Sequence, residues 1–247
     1  MIEIKSEREI ALIGIAGHIV KTALREVNRL AKPGVSTAEL DICADKITKD
    51  FNARSAFRGY KGFPRNICTS INEQVVHGIP GQTLLKSGDI LSIDFGVEKN
   101  GFYADAAITV EIGNSTSREA KELIKITEKA LHVGIEKAVE GNRLFDISHA
   151  IQKHIEDNGY SVVRDFVGHG IGKRIHEDPE IPNFGKKNTG PRLRKGMVLA
   201  IEPMVNIGRH EVEILSDGWT AVTRDRSLSA HFEHTVCVTD KEPKILT

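Results

Sequence analysis

The sequence is short of several things, and each shortage excludes something. Three cysteines occur in 247 residues. Cys43, Cys68 and Cys237 lie far apart and form no CxxC, so neither a zinc ribbon nor a disulfide framework is encoded. A low, odd count suits a reducing compartment, and a cytoplasmic location is expected. Long apolar runs are also missing. The longest near the N-terminus, Ile10 to Val20, is interrupted by His18 and runs on into Lys21 and Arg25. It falls short of the roughly 20 residues that a span requires, so no membrane partner is expected. It has no cleavage pattern of a signal peptide. Charge of one sign is not in excess, since Lys+Arg and Asp+Glu both number 34. A general nucleic-acid surface shows as a basic excess, so no stable nucleic-acid partner is expected. No low-complexity linker or composition break occurs, so residues 1–247 are expected to form one unit.

What is present is ordinary globular composition with a strong internal pattern. Ser6-Glu7-Arg8-Glu9 reads as a capping box, and Ile10, Ile13, Gly17, Val20, Leu24, Val27 and Ala31 follow at the spacing of one helical face. Pro33-Gly34 ends that helix, and Ser36-Thr37-Ala38-Glu39 opens a second. A similar pair recurs: a helix from Thr116-Ser117 to Val139, then one from Leu144 to Asn158. Asp89 to Val97 and Phe102 to Ile112 read as strands around Asn100-Gly101, a strong hairpin signal. Further strands are expected over 198–207, 210–215, 219–223 and 232–239, with a turn at Asp217-Gly218. The segment Gly88-Asp89-Ile90-Leu91-Ser92-Ile93-Asp94 aligns with Gly196-Met197-Val198-Leu199-Ala200-Ile201-Glu202. Upstream of each lies His-Gly-Ile, at His77 and at His169. The shared order predicts a duplication, with halves at about 1–112 and 113–247, and paired sites facing a central cleft. The fold class expected is α/β (α+β), with an antiparallel core and two helix pairs.

Five residues carry the chemistry. With Asn100-Gly101 as the turn, Asp94 faces Ala107 across the hairpin and Asp105 lies two residues from Ala107. Both carboxylates then share a face. Two aspartates embedded in apolar strands are costly unless compensated, and a shared cation compensates both. Glu202 lies in a nearly apolar strand, and Glu233 in Ala230-His231-Phe232-Glu233-His234-Thr235-Val236; a buried ion pair is the competing reading for each. His169 is flanked by Gly168 and Gly170, which allow a tight turn that presents the ring. Four carboxylates and one imidazole suit hard or borderline divalent ions such as Mn, Fe, Co, Zn or Ni. They are more than one ion needs, so two ions per chain are expected. Other signatures fail. His176-Glu177-Asp178-Pro179-Glu180 lacks the second His of HExxH, no GxSxG elbow occurs, and no PCxxC follows His231-Phe232-Glu233.

Asp94, Asp105, His169, Glu202 and Glu233, with His77-Gly78-Ile79-Pro80 and His176-Glu177-Asp178-Pro179, resemble the type I methionine aminopeptidases. The resemblance covers nearly the whole chain and is to the short bacterial form. It implies the pseudo-two-fold "pita-bread" fold and removal of the N-terminal methionine from nascent polypeptides by hydrolysis at two divalent ions, with a small second residue favoured. It implies that the five residues are the metal ligands, that Glu202 also carries a proton, and that His77 and His176 contact substrate. It implies a methionine pocket from the Phe57–Cys68 segment, through Tyr60, Phe63 and Cys68, together with Trp219. It implies a monovalent cation near Asn72, Gln74 and Ser229. Phe57 and Ile175 depart from the family's common pattern, which bears on pocket shape. Within the same fold the rival is an Xaa-Pro aminopeptidase or proline dipeptidase, which carries a large N-terminal domain. A non-catalytic binding protein of this fold would have lost ligands, and all five are here. Lys186, Lys187, Arg192, Arg194 and Lys195 form a basic stretch that could touch the ribosome transiently, against the reading of a solvated face. A monomer is expected.

Overall fold

A computed structural model describes residues 2–247. The helices begin where the capping signals sit. In α1 (Glu7–Leu30) the Ser6 side chain accepts from Glu9 N while the Glu9 carboxylate accepts from Ser6 N. Ser36 and Glu39 repeat this at α2 (Thr37–Asp50). Ser117 caps α3 (Arg118–Ile135), and α4 spans Leu144–Asp157. Helix α3 stops short of the expected Val139, because Val139 leaves to bridge Thr239.

The strands are β1 (Arg54–Ser55), β2 (Cys68–Ile71), β3 (Gln74–Val76), β4 (Ile90–Lys99), β5 (Phe102–Glu111), β6 (Ser161–Val162), β7 (Val167–Gly170) and β8 (Glu177–Pro182). There follow β9 (Val198–Ile201), β10 (Met204–Asn206), β11 (Val212–Ile214), β12 (Ala221–Thr223), β13 (Ser229–His231), β14 (Glu233–Cys237) and β15 (Lys244–Ile245). The main sheet runs β1-β4-β5-β14-β9-β7-β8, with β2 also on β4 and β15 on β14. Asn100 and Gly101 both take positive φ, 56° and 79°, which fixes a tight hairpin between β4 and β5. The expected single strand over 198–207 is two strands. Pro203 has no N–H to offer a ladder, so β9 ends in the main sheet and β10 begins in a small one with β13 and β6.

The centre of the main sheet shows the duplication. Strands β4 and β5 of the first half meet β14 and β9 of the second in mirrored order, with all pairs antiparallel. Alternation along each strand then separates two faces. Leu91, Ile93, Phe95 and Val97 of β4 pack with Ile13, Val20 and Leu40 of α1 and α2. Leu199, Ile201 and Val236 pack with Leu123, Leu131, Ile147 and Ile151 of α3 and α4. The residues between them, Asp94 among them, point to the opposite face. One part of the expected repeat is corrected. Within the aligned halves Ser92 matches Ala200, and Ser70 pairs with Ser92 whereas His169 pairs with Ala200. His169 therefore occupies the place of Ser70, not of His77, which lies beyond β3. No helix among the described residues is long and apolar enough to cross a membrane.

Candidate active site

Five consecutive strands of the main sheet each contribute one ligand candidate. Ala107 of β5 is flanked by Asp94 of β4 on one side and Glu233 of β14 on the other. Asp105 lies two residues along β5 on the same face. Glu202 follows the end of β9, and His169 sits on β7. Gly168 permits this approach: a Cβ there would stand 2.4 Å from the Ala200 carbonyl and 3.4 Å from Glu202 Cγ. Ligand atoms of Asp105, His169 and Glu233 all lie within 4.8 Å of one another. His169 Nε2 is 3.5 Å from Glu202 Oε1. Cys68 of β2 faces Asp94 across the ladder and is buried.

Burial raises every carboxyl, and neighbouring charges add to it for all but Asp105. Burial and then the charges of Asp105 and Glu202 push Asp94 well up. Burial pushes Asp105 to about 7, against a hydrogen bond with Asp94 that lowers it. Burial and then Asp105 raise Glu202; burial and then Asp105, Glu202 and Asp94 raise Glu233. Burial holds His169 down at about 3, with His176 adding to it. These groups fit a divalent cation. Asp94 Oδ1, Asp105 Oδ1 and Glu233 Oε1 are buried with no hydrogen-bond partner. His169 Nδ1 contacts the Gly170 carbonyl at 3.0 Å, so its proton belongs on Nδ1 and the Nε2 lone pair is free. Buried acceptors gathered without donors call for positive charge.

A cavity of about 210 Å³ opens onto the cluster. Tyr60, Phe63, Cys68 and Trp219 line it together with His77 and His176. Phe63 and Trp219 meet edge to face, their ring centroids 5.1 Å apart. Asp41 of α2 accepts from Asn66 N at 2.7 Å and Ile67 N at 3.2 Å, which anchors the segment before Cys68. Phe57 and Ile175 stand over the same residue. A Cβ on Gly96 would lie 2.8 Å from Phe57 and 3.2 Å from Ile175. The two side chains share the space over Gly96.

The Tyr60 hydroxyl and His176 Nδ1 are 2.9 Å apart, and the His176 ring centroid lies 4.3 Å from that of His169. Burial, then Lys61 and His77, hold His176 at about 4, so it is neutral near pH 7. His77 has φ 61°, the left-handed region, and its ring packs edge-on against Phe166 and Trp219. Burial lowers its pKa as well. Asn72 and Ser229 are joined by a backbone bond of 2.9 Å, while Gln74 Oε1 accepts from Ile71 N. The Asn72 and Ser229 side chains are engaged with Asp89 and Asn206.

Three residues here escaped the sequence reading. Asn183 Nδ2 donates to the Glu202 carbonyl at 2.9 Å. Phe166 walls off His77. His231 is buried with neither ring nitrogen bonded, and its Nε2 is 3.8 Å from Glu202 Oε2. A signal for His231 existed: strand periodicity puts residue 231 on the face of Glu233. Nothing local marks Asn183.

The family model described as Metallopeptidase family M24 matches residues 11–240. The chain belongs to this family. A methionine aminopeptidase of Clostridium acetobutylicum is 54% identical over 248 residues, covering 100% of this chain and 99% of that protein. The crystal structure of a Thermotoga maritima methionine aminopeptidase has a TM-score of 0.98 at 46% identity, covering 100% of this chain and 99% of that one. A Pyrococcus horikoshii prolidase reaches a TM-score of 0.78 at 23% identity, with 63% of that chain covered, and shares the M24 fold.

The raised carboxyls give the metal-free protein an unusual pH response. A carboxyl whose folded pKa is raised contributes stability that is complete below its unfolded pKa and is lost as pH rises through the folded value. The buried histidines act oppositely, contributing fully above about 6.5 and losing that as pH falls toward their folded values. Above about pH 6.5 only the carboxyls change, so the Tm of metal-free protein should fall between about pH 6.5 and 8.5. Added Mn²⁺ should reverse the fall, since it binds the folded ligands. Thermal melts with chelator across that range check this; a flat or rising Tm would contradict the crowding.

Proposed function

We propose that the chain hydrolyses the first peptide bond of polypeptides that begin with methionine, preferring a small second residue. The observation that carries this is that the carboxylate–imidazole cluster lines the same cavity of about 210 Å³ as Phe63, Tyr60, Cys68 and Trp219. A side chain held in that cavity lies next to the cluster and so next to the reacting bond. Methionine, unbranched and polarizable, fits an irregular pocket of Phe63, Trp219, Tyr60 and Cys68. The full-length relatives named methionine aminopeptidase support the same reading.

Asp94, Asp105, His169, Glu202 and Glu233 would hold two divalent ions, because four carboxylates exceed the need of one. Bound divalent ions polarise a carbonyl and lower the pKa of water. The rest is the work of this chain's side chains. Glu202 accepts a proton from the attacking water and returns it to the leaving amine, at the boundary between cluster and cavity. The neutral His176 accepts from the Tyr60 hydroxyl at Nδ1, which leaves Nε2–H to donate to the carbonyl oxygen as charge develops there. His77, wedged between Phe166 and Trp219, presents its imidazole to the substrate backbone. The substrates are N-termini of nascent chains, whose free α-amino group is held at the cluster.

Two assays test this. Metal-stripped protein should regain cleavage of Met-Ala-Ser, and not of Ala-Pro peptides, when Mn²⁺, Co²⁺, Fe²⁺, Zn²⁺ or Ni²⁺ is restored one at a time. Cleavage of Ala-Pro without Met-Ala-Ser would favour the Xaa-Pro reading instead. In the second assay the first residue is varied. One methylene in an apolar pocket is worth about 1–3 kcal/mol, so norleucine should be partly accepted. Lysine should be rejected, since its charge loses water without gaining a partner. Met-Lys and Met-Trp starts should be poor, and N-acetyl-Met peptides inert. Efficient turnover of an N-acetyl-Met peptide would overturn the role of the free amine.

A further inference from the structure

His176 sits at the end of the loop 171–176, which leaves β7 just after His169 and re-enters the sheet at Glu177. Ile171 and Ile175 anchor the loop in the core, while Lys173 and Arg174 between them are exposed. Between those two anchors the exposed turn is held by one buried carboxylate. Glu177 Oε1 accepts from Lys173 N at 2.8 Å and from Arg174 N at 3.1 Å. Glu177 Oε2 lies 2.5 Å from Lys5 Nζ, and both side chains are only 3% exposed. Lys5 comes from the opposite end of the sequence. Its backbone is fixed by a 2.8 Å bond from Lys5 N to the Gly196 carbonyl.

The path that Lys5 takes is built for it. A Cβ on Gly172 would stand 2.3 Å from Lys5 Cε and 2.8 Å from Lys5 Nζ. A side chain at 172 would displace the end of Lys5 from the path it takes over the loop to Glu177. Gly196, with φ 88°, likewise leaves room for the Lys5 carbonyl, 2.7 Å from where a Cβ would be. Outside this pair, Lys173 bonds Glu9 at 2.9 Å, so the segment 5–9 holds the loop both at Lys173 and, through Glu177, at its end. Gly172 O also accepts from Tyr103 N at 2.8 Å, which joins the loop to β5.

We propose that Lys5 is a positioning residue for the reaction: through its ion pair with Glu177 it fixes the backbone that carries His176. This rests on the transition-state role given to His176 above. Lys5 touches neither the cavity nor the cluster, so it acts only through the loop. Without the ammonium, Glu177 keeps a buried charge that has lost its counter-ion, and the carboxylate turns toward water. The loop amides then lose their acceptor, and the imidazole loses its register with Tyr60. Small misplacements of a catalytic group are costly, so kcat should fall by about 10- to 100-fold in Lys5→Met, with KM little changed.

The test uses Mn²⁺-loaded full-length protein on Met-Ala-Ser, with kcat expressed per metal-loaded chain. Lys5→Met should lower kcat, and in a His176→Ala background it should lower kcat no further. In metal-free protein, Lys5→Met should shift the ¹⁵N signals of the His176 ring and leave those of His77 in place. The double variant Lys5→Met/Glu177→Gln removes both charges, which guards against a single variant that fails to fold. Its Tm should recover toward native while kcat stays reduced, because the tether is still missing. Native kcat in Lys5→Met, an equal loss in the His176→Ala background, or kcat recovering together with Tm in the double variant would each overturn the proposal. Native kcat in His176→Ala alone would instead remove the reading of His176 on which it rests.

Discussion

Glu202→Gln should lower kcat on Met-Ala-Ser by about 10²–10⁴, the range for loss of a positioned acid–base group. Glutamine keeps the shape and one oxygen donor but cannot take up a proton. Asp94, Asp105, Glu233 and His169 remain, so metal content should stay near native, and plasma-emission analysis checks it. The same change should raise the Tm of the metal-free protein near neutral pH. Asp105 and Glu202 crowd one another, and the neutral amide relieves the pair. Loss of activity together with a gain in apoprotein stability separates Glu202 from a residue that merely holds the fold. Retention of kcat within an order of magnitude, with both ions present, would remove Glu202 as the proton carrier.

His176→Ala carries the second large effect. Loss of one preorganised donor to a developing oxyanion costs on the order of 10²–10³ in kcat. The ring does not belong to the carboxylate cluster, so metal content should be unchanged. Tyr60→Phe should show part of the same loss, since it removes only the hydroxyl that engages Nδ1. The plateau of kcat against pH should persist down to the acid side of neutrality, because burial and Lys61 keep His176 neutral there. A His176→Ala protein that had lost its metal would place the ring among the ligands instead.

The shared face of Asp94 and Asp105 was legible because strand periodicity and one turn place both. Asn100-Gly101 fixes the register of β4 and β5, and the pairing of Asp94 with Ala107 follows without any three-dimensional information. Glu202 and Glu233 stood out because a carboxylate in an apolar strand demands a partner. The capping boxes at Ser6 and Ser36 placed α1 and α2 for the same local reason. The rest depended on contacts that no short window contains. Strands β2, β3, β7 and β8 are brief and rich in polar residues or glycine, so no alternation announces them. The likeness of His77 to His169 rested on a tripeptide, and pairing partners across the sheet assign His169 to the place of Ser70. Lys5 and Glu177 are separated by most of the sequence, and a lysine near a chain end reads locally as solvated.

The five-strand assembly of the site has a consequence for how the molecule comes into being. The ligands enter the growing chain in the order 94, 105, 169, 202, 233, while the sheet order places β14 between β5 and β9. The strand that joins the two halves is thus among the last to be synthesised, followed only by β15, and it brings Glu233 with it. Before β14 inserts, the hairpin of β4 and β5 holds two carboxylates at an open edge, too few for a tight divalent site. Ion capture is thereby deferred until the central seam of the sheet has closed. A partly made chain presents no competent hydrolytic centre, and loading with metal serves as the check that the two halves have met.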